Sequence, residues 1–469
     1  MGRWANKYVI GLTGNIGMGK SVVRKMLEHL GAYTIDADGL AHQTMAPGAP
    51  AYHPVIETFG RWILDPDGRI NRSRLGAVAF SHPEALSRLE AITHPVVSQG
   101  IDTLVSRARQ PIVVIEAIKL IEGSLATQVD VIWVVDAAPQ IQLERLVQKR
   151  GMSEDEARKR IEGQNPQREK LARADVVITN NGPLQDAWVQ VEREWRRLMA
   201  ARGLAVQDEM VRTVKVVRPP TTARPDTGPL LAPRRDTGPL AESPPVVQPT
   251  AAPSPSTAGD DAAPERRLST GPLGPLPVLR QAKTSPLTQP SGAALVPPPA
   301  PQPTATDFSI DIRRGMPRHA EAIARLISTL TGRPLTRADV MALFGQKSYL
   351  LAEAGTKILG LAGFQVENLI TRVDEFLLVP DAPVGAIAHA LIEAIEDASK
   401  ALQSEIGFVY LPHNAPAAVF QAFTANGYTQ TELDEIKVPA WREAAAESRP
   451  QNTQILAKKL RAERVLKPL

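Results

Sequence analysis

Residues 11–21 read GLTGNIGMGKS, and within them Gly14, Gly19, Lys20 and Ser21 satisfy the spacing G-x-x-x-x-G-K-[ST]. Glycines there let the backbone curl so that successive N–H groups point inward at an anion, and a helix starting at that point adds its dipole. A lysine at the place of Lys20 reaches the β- and γ-phosphates of a nucleotide, and the Ser21 hydroxyl is placed to hold Mg²⁺. The flanks agree with this. KYVIGL before the loop reads as a short buried strand, and after it Val22, Val23, Met26, Leu27 and Leu30 share one face of a helix that stops at Gly31. Strand, loop and helix in that order predict a nucleotide-phosphate site formed by Gly14, Asn15, Ile16, Gly17, Met18, Gly19, Lys20, Ser21 and Val22.

Working outward, the strand candidates YVIGL, AYTID, PIVVIEA and VIWVVD alternate with helical segments. Alternation of this kind predicts a parallel sheet covered on both faces, with ligands gathered at the carboxyl ends of the strands. The second strand runs into IDADGLAH, which sets Asp36 and Asp38 beside the phosphate loop. A kinase needs a carboxylate there to position or deprotonate an attacking hydroxyl. Taken alone, two acids after a strand could equally form a turn or cap a helix.

The chain has 469 residues, too many for one ordinary domain. Of its 41 prolines, 22 fall between Pro219 and Pro303, which makes that stretch a disordered, partly extended tether by composition. It carries DTGPL at Asp226–Leu230 and Asp236–Leu240, echoed as STGPL at Ser269–Leu273, a repeat short enough to be drift. The expected organisation is a first α/β domain over 1–205, the tether over 206–306, a second α/β domain over 307–440, and a tail over 441–469 that is a basic helix or a frayed end. With no cysteine, disulfide and thiolate chemistry are excluded. A formal charge of +4 over this length is no argument for nucleic acid. No apolar run is long enough to span a bilayer and MGRWANK lacks the apolar core of a signal peptide, so a cytoplasmic protein without membrane contact is expected.

Further segments join the loop and IDADGLAH: PGAPAY (Pro47–Tyr52), FGRWILDPDGRINRSRLGAVAF (Phe59–Phe80), LEAITHPVV (Leu89–Val97) and ARADVVITNNG (Ala172–Gly182). In this order the chain resembles the dephospho-coenzyme A kinases over nearly all of residues 7–200. The resemblance implies a P-loop core of the nucleoside-monophosphate-kinase-like group, a helical substrate insert and a mobile lid. It further implies ATP-dependent, Mg²⁺-assisted phosphorylation of the ribose 3′-hydroxyl of dephospho-CoA. Carried over, Lys20 clamps phosphate, Asp38 is the acid nearest the attacking hydroxyl, and Asp36 and His94 lie on the substrate side. QKRGMSEDEARKRIEGQ (Gln148–Gln164) matches the lid, whose Arg150 and Arg160 are the implied phosphate contacts, with Ser153 and Glu156 as a capping box.

Several positions depart from the family pattern. Asn15 and Met18 replace small loop residues, Ser98 stands where many relatives have arginine, and IEAIKLIEG (Ile115–Gly123) brings Glu116 and Lys119 into a segment usually more apolar. Two other readings remain: a P-loop kinase of another small hydroxylated substrate, which the insert Pro47–Val97 argues against, and a non-catalytic nucleotide or CoA sensor, against which Lys20, Ser21, Asp38 and the lid arginines speak. A GTPase would need an N-K-x-D motif, which this sequence lacks.

From Ile310 the order strand, helix, three strands, helix, strand, helix, strand resembles the GNAT-type N-acetyltransferases. That family's pyrophosphate loop aligns with PVGAIA (Pro383–Ala388), where Pro383 brings no N–H and Ala386 adds a Cβ. Phe423 stands where many relatives carry a proton-donating tyrosine. The expectation is a degenerate domain that binds CoA weakly or a partner protein, linked loosely enough that cutting near Pro249 leaves the kinase unaffected.

Overall fold

A computed structural model describes residues 3–205, 210–217, 307–380 and 382–466. The Pro-rich stretch and its DTGPL repeats lie outside the described residues.

The first half is built on five parallel strands, β1 (Tyr8–Thr13), β2 (Tyr33–Asp36), β3 (Ile112–Glu116), β4 (Val131–Asp136) and β5 (Val176–Thr179), in the order β2-β3-β1-β4-β5. The fifth strand, inside ARADVVITNNG, is additional to the four expected. Around the sheet run α1 (Lys20–His29), α2 (Ala37–Thr44), α3 (Tyr52–Phe59), α4 (Arg72–Ser81), α5 (Pro83–Arg107), α6 (Pro139–Glu144), α7 (Glu154–Glu162), α8 (Gln167–Leu171) and α9 (Leu184–Ala201). The central strands are apolar on both faces because both are covered. Val9, Val113 and Val134 pack toward α5, while Ile10, Leu12 and Val135 pack toward α1 and α9 with Trp188 and Trp195. Helix α1 begins from Gly19 in the left-handed region and ends before Gly31 at φ 109°, the two places where glycine is needed to turn the chain.

The second half is one mixed sheet. Its strands are β6 (Met210–Val217), β7 (Asp307–Arg314), β8 (Ser348–Ala354), β9 (Lys357–Glu367), β10 (Ile370–Leu378), β11 (Ile406–Pro412), β12 (Thr429–Thr431) and β13 (Thr453–Lys459), in the order β12-β13-β11-β10-β9-β8-β7-β6. Helices α10 (Ala320–Thr331), α11 (Arg337–Phe344), α12 (Val384–Ala401), α13 (Ala417–Ala425) and α14 (Pro439–Ser448) pack on it. All described pairings are antiparallel except β10 with β11, which run parallel over four positions, Ile370–Val373 against Ile406–Val409.

Two segments differ from expectation. Residues 210–217, placed in the tether by composition, form the edge strand β6 and pair with β7 from Met210↔Arg313 to Val217↔Asp307. Val217 and Asp307, the described residues on either side of the Pro-rich stretch, are therefore paired in one antiparallel ladder. Residues 441–469, read as a tail, carry most of α14 and then β13, an interior strand that buries Ile455 and Leu456 between β11 and β12. The consecutive apolar residues Ile455 and Leu456 suit that position, since successive side chains enter the cores on opposite faces of the sheet.

The described parts of both halves form one compact unit. Leu369 and Val465 of the second half belong to the apolar core beside α5. Gln403 donates to the Leu104 carbonyl at 2.8 Å, Gln43 to that of Asn368 at 3.0 Å, and His29 Nε2 lies 3.1 Å from that of Phe344. Arg24, Lys25, Glu28 and His29 of α1 are all buried, whereas a helix facing water would leave such residues exposed.

Candidate active site

The phosphate loop closes the carboxyl end of β1. Gly14, Gly17 and Gly19 have φ of 144°, 78° and 97°, and a Cβ on Gly14 would stand 2.5 Å from the Val135 carbonyl oxygen. A Cβ on Gly19 would run into Asn180 Nδ2. The loop is braced from outside by groups with no local sequence signature. Asn180 Nδ2 donates to the Met18 carbonyl at 2.9 Å, Arg145 donates to the Gly17 and Met18 carbonyls and to Asn180 O, and Gln142 Nε2 donates to the Ile16 carbonyl at 2.7 Å. Met18 is buried and its sulfur accepts from Ala137 N, which accounts for a large side chain in this loop. Asn15 N donates to Gln167 Oε1 at 3.0 Å and Ile16 N to Gln164 Oε1 at 2.9 Å, so the end of the lid segment is tied to the loop. Val22 faces the second half, where a Cβ on Gly345 would sit 3.3 Å from it.

Two strand ends bring three acids towards Lys20. Asp36 ends β2 and caps α2, accepting from Gly39 N at 2.9 Å, so the helix-cap reading is correct for it. Asp38 lies in the first turn of α2 and accepts from Ile118 N at 3.1 Å. Glu116 ends β3, accepts from Ser21 Oγ at 3.1 Å and pairs with Arg24 Nε at 2.7 Å. Burial pushes the Asp38 and Glu116 carboxyls above the usual carboxylate range, and Lys20, Arg24 and the Ile118 N–H only partly reverse it. Burial also lowers the Lys20 ammonium, while Glu116 and Asp38 oppose that shift. Arg24, buried at 6% exposure, stays charged despite desolvation because Glu116, Glu28 and Glu367 surround it.

The lid arginines are not gathered at the loop alike. Arg150 is exposed at the end of a π-helical turn over 145–149, close enough to influence Lys20. Arg160 is on the outer face of α7, paired with Glu156 at 2.9 Å. Ser153 caps α7 by accepting from Glu156 N, and that pairing to Arg160 takes up the Glu156 carboxylate. His94 is exposed on α5 beside Pro95. Lys119 pairs with Glu90 of α5 at 2.7 Å, the role its sequence left open.

A β2-β3-β1-β4-β5 parallel sheet, a phosphate loop after its first strand and acids at the ends of its second and third define a P-loop kinase of the nucleoside-monophosphate-kinase-like group. The sequence profile of the dephospho-CoA kinase family matches residues 8–186. The dephospho-CoA kinase of Streptomyces avermitilis is 42% identical over 191 residues, 40% of this chain and 93% of its own, and that of Geobacter sulfurreducens is 41% identical over 192 residues, 40% and 98%. The chain belongs to the dephospho-CoA kinase family. Among solved structures, the dephospho-CoA kinase from Campylobacter jejuni is similar at 24% identity and TM-score 0.33, covering 42% of this chain and 99% of its own. A putative acetyltransferase from Salmonella typhimurium, solved with its cofactor acetyl-CoA, is similar at 13% identity and TM-score 0.27, covering 34% and 97%. The second half is an α/β fold whose one parallel pair, β10 and β11, lies inside an otherwise antiparallel sheet.

Proposed function

We propose a division of labour for the ATP-dependent phosphorylation of dephospho-CoA that is the activity of this family. Lys20 and the loop from Gly14 to Val22 hold the ATP phosphates, the Asn15 and Ile16 N–H groups being tied to Gln167 and Gln164 of the lid end. Asp38 orients the ribose 3′-hydroxyl and takes its proton as the new P–O bond forms and the bond to ADP breaks. Asp36 fixes the start of α2, and with it Asp38. The observation that carries this reading is that Asp38, in the first turn of α2, and Glu116, bonded to Ser21 Oγ at 3.1 Å, stand at the same end of the sheet as the phosphate loop and its buried Lys20. Phosphoryl transfer asks little covalent chemistry of a protein, so positioned charge is the main contribution.

Among the described residues there is no group of three or more His, Cys, Asp or Glu able to cage a metal. Mg²⁺ does not require one, since it keeps waters and substrate phosphates and takes one or two protein oxygens. Ser21 Oγ, 3.1 Å from Glu116, with Asp38 nearby, supplies hard oxygen donors that fit it. When bound, Mg²⁺ neutralises charge on the phosphates. Arg150 and Arg160 add positive charge as the lid closes, and His94 meets substrate on the insert side.

Among the described residues no helix is long and apolar enough to cross a membrane. We place the reaction in the cytoplasm, with ATP and dephospho-CoA as the partners of the kinase half and no role for nucleic acid.

The GNAT-like half is not a working acetyltransferase in this account. Pro383 caps α12 where an N–H would serve a pyrophosphate, and Phe423 is fully buried against Phe376 and Tyr428, with ring centroids at 4.8 and 5.3 Å. Its docking on α1 and α5 supports a structural role over CoA sensing. The experiment for the kinase is ADP release from the full chain with ATP, Mg²⁺ and, separately, dephospho-CoA, adenosine and pantetheine phosphate. Turnover with dephospho-CoA alone is expected, and equal turnover with adenosine would contradict it. For the second half, micromolar acetyl-CoA binding by calorimetry on the full chain would overturn the degenerate reading.

A further inference from the structure

The hairpin joining β9 to β10 has a two-residue turn, Asn368-Leu369, with both residues at positive φ, 50° and 66°. Such turns favour Asn-Gly, and a leucine held there is strained. Its side chain is nevertheless 8% exposed, in the apolar cluster that joins Leu40 and Leu104 of the kinase half to Val465 of the second. Burying that apolar side chain offsets the strain of the left-handed conformation.

The residues around Leu369 reach the catalytic strand ends. Glu367 is held by Arg372 of its own half at 3.5 Å and pairs across the interface with Arg24 at 3.5 Å. Arg24 holds Glu116, and Glu116 receives the Ser21 hydroxyl. Asn368 accepts from Gln43 of α2, and its Oδ1 would be 3.0 Å from a Cβ on Gly39, whose N–H caps onto Asp36.

We propose that the turn Glu367-Asn368-Leu369 is a positioning device for the kinase site: docked between α1 and α2, it fixes the chain Arg24–Glu116–Ser21 and the start of α2 that carries Asp38, so that full phosphoryl transfer requires the second half in place. Glu367 is a positioning residue and touches no substrate. The inference rests on the kinase reading of the same site.

The test uses the full chain with Glu367→Ala, Glu367→Gln and Leu369→Gly, the last of which keeps the turn's backbone conformation and deletes only the docked side chain. Lys357→Ala, at the exposed β8–β9 turn, is the control. A half-exposed ion pair is worth little more than 1 kcal/mol, so Glu367→Ala is expected to lower kcat roughly three- to fivefold, raise the Mg²⁺ half-saturation by a similar factor and leave the ATP KM unchanged. Glu367→Gln should recover part of the loss, and Leu369→Gly should lose more. Hydrogen exchange should quicken selectively in peptides over 36–44 and 116–120, which hold the Gly39 and Ile118 amides. Unchanged kcat, Mg²⁺ response and exchange in both Glu367→Ala and Leu369→Gly would overturn the inference, as would faster exchange spread over the whole chain. A wild-type chain that makes no phosphorylated product would overturn the kinase reading instead, and the exchange contrast would still decide whether the turn orders the site.

Discussion

At the residue scale, acids are kept close to one buried lysine, Lys20. Asp38 has its carboxyl raised in the fold, chiefly by burial. Between its unfolded and folded pKa the native state keeps a proton that the unfolded state has lost, so stability falls as pH rises through that window. At neutral pH the ionised carboxylate is a cost to folding that its chemistry requires. Asp38→Asn should therefore raise Tm by a few degrees in calorimetry at pH 7 while lowering kcat about 10²–10⁴-fold. Lys20→Ala should reduce kcat by orders of magnitude as well, by removing a charge that acts in the transition state. The acid limb of kcat/KM should lie above the ordinary carboxylate range, and a limb inside it would take the base role from Asp38. The places of Lys20 and Ser21 were legible from the loop spacing and those of Asp36 and Asp38 from the strand before them, while the roles proposed for the aspartates came only with the resemblance to the dephospho-CoA kinases; Glu116 stood at the end of a strand candidate. Arg24, Arg145, Asn180 and Gln167 were not legible, because their roles arise from contacts between residues far apart in sequence.

At the scale of elements, the lid and the loop brace make separable predictions. Arg150 stands near Lys20, whereas Arg160 is engaged with Glu156 on the exposed side of α7. Arg150→Ala should lower kcat more than it raises the ATP KM, and Arg160→Ala should have the smaller effect, because closure must first break a surface pair worth under about 1 kcal/mol. Steady-state kinetics of the two variants decide this, and an equal or larger loss for Arg160 would contradict it. Arg145→Ala leaves loop carbonyls without their donor and should raise the ATP KM about tenfold with a smaller change in kcat. Alternating strands and helices made the parallel sheet readable, since its buried runs are apolar on both faces. Strand β5 was obscured by its brevity, and β6 by the prolines that follow its alternating MVRTVKVV. Strand β13 is short and charged at its end, and only pairing with β11 and β12 gives its apolar residues a core to enter.

For the whole molecule, composition suggested two independent domains on a tether, and the interface replaces that picture. The stretch 218–306 is bounded by Val217 and Asp307, paired in one ladder, while buried contacts from Leu369, Gln403 and Val465 join the halves directly. Nothing in a proline-rich composition reports where its ends are anchored. Cleavage near Pro249 should leave two fragments that co-elute on gel filtration with kcat/KM unchanged, whereas a chain ending at residue 205 should lose stability by exposing Leu104 and the polar face of α1. Separation of the nicked fragments would refute the docking. His29 adds a pH signature: packed against Trp188 and Phe344 and facing Lys25, Glu28 and Arg314, its imidazole is lowered from 6.5 to about 4, chiefly by burial. The unfolded chain takes up that proton first on acidification, so stability should drop from pH 6.5 toward 4, more steeply than in His29→Gln, which keeps a donor for the Phe344 carbonyl. Equal slopes in pH-dependent thermal melts would exclude His29 as the source. The most direct test of the central claim is the position of the phosphate added by the full chain to dephospho-CoA with ATP and Mg²⁺, read by phosphorus NMR of the purified product. A single new monoester on the ribose 3′-oxygen, absent with Lys20→Ala, is expected; a phosphate elsewhere on the molecule, or ADP released with dephospho-CoA left unmodified, would refute the assignment.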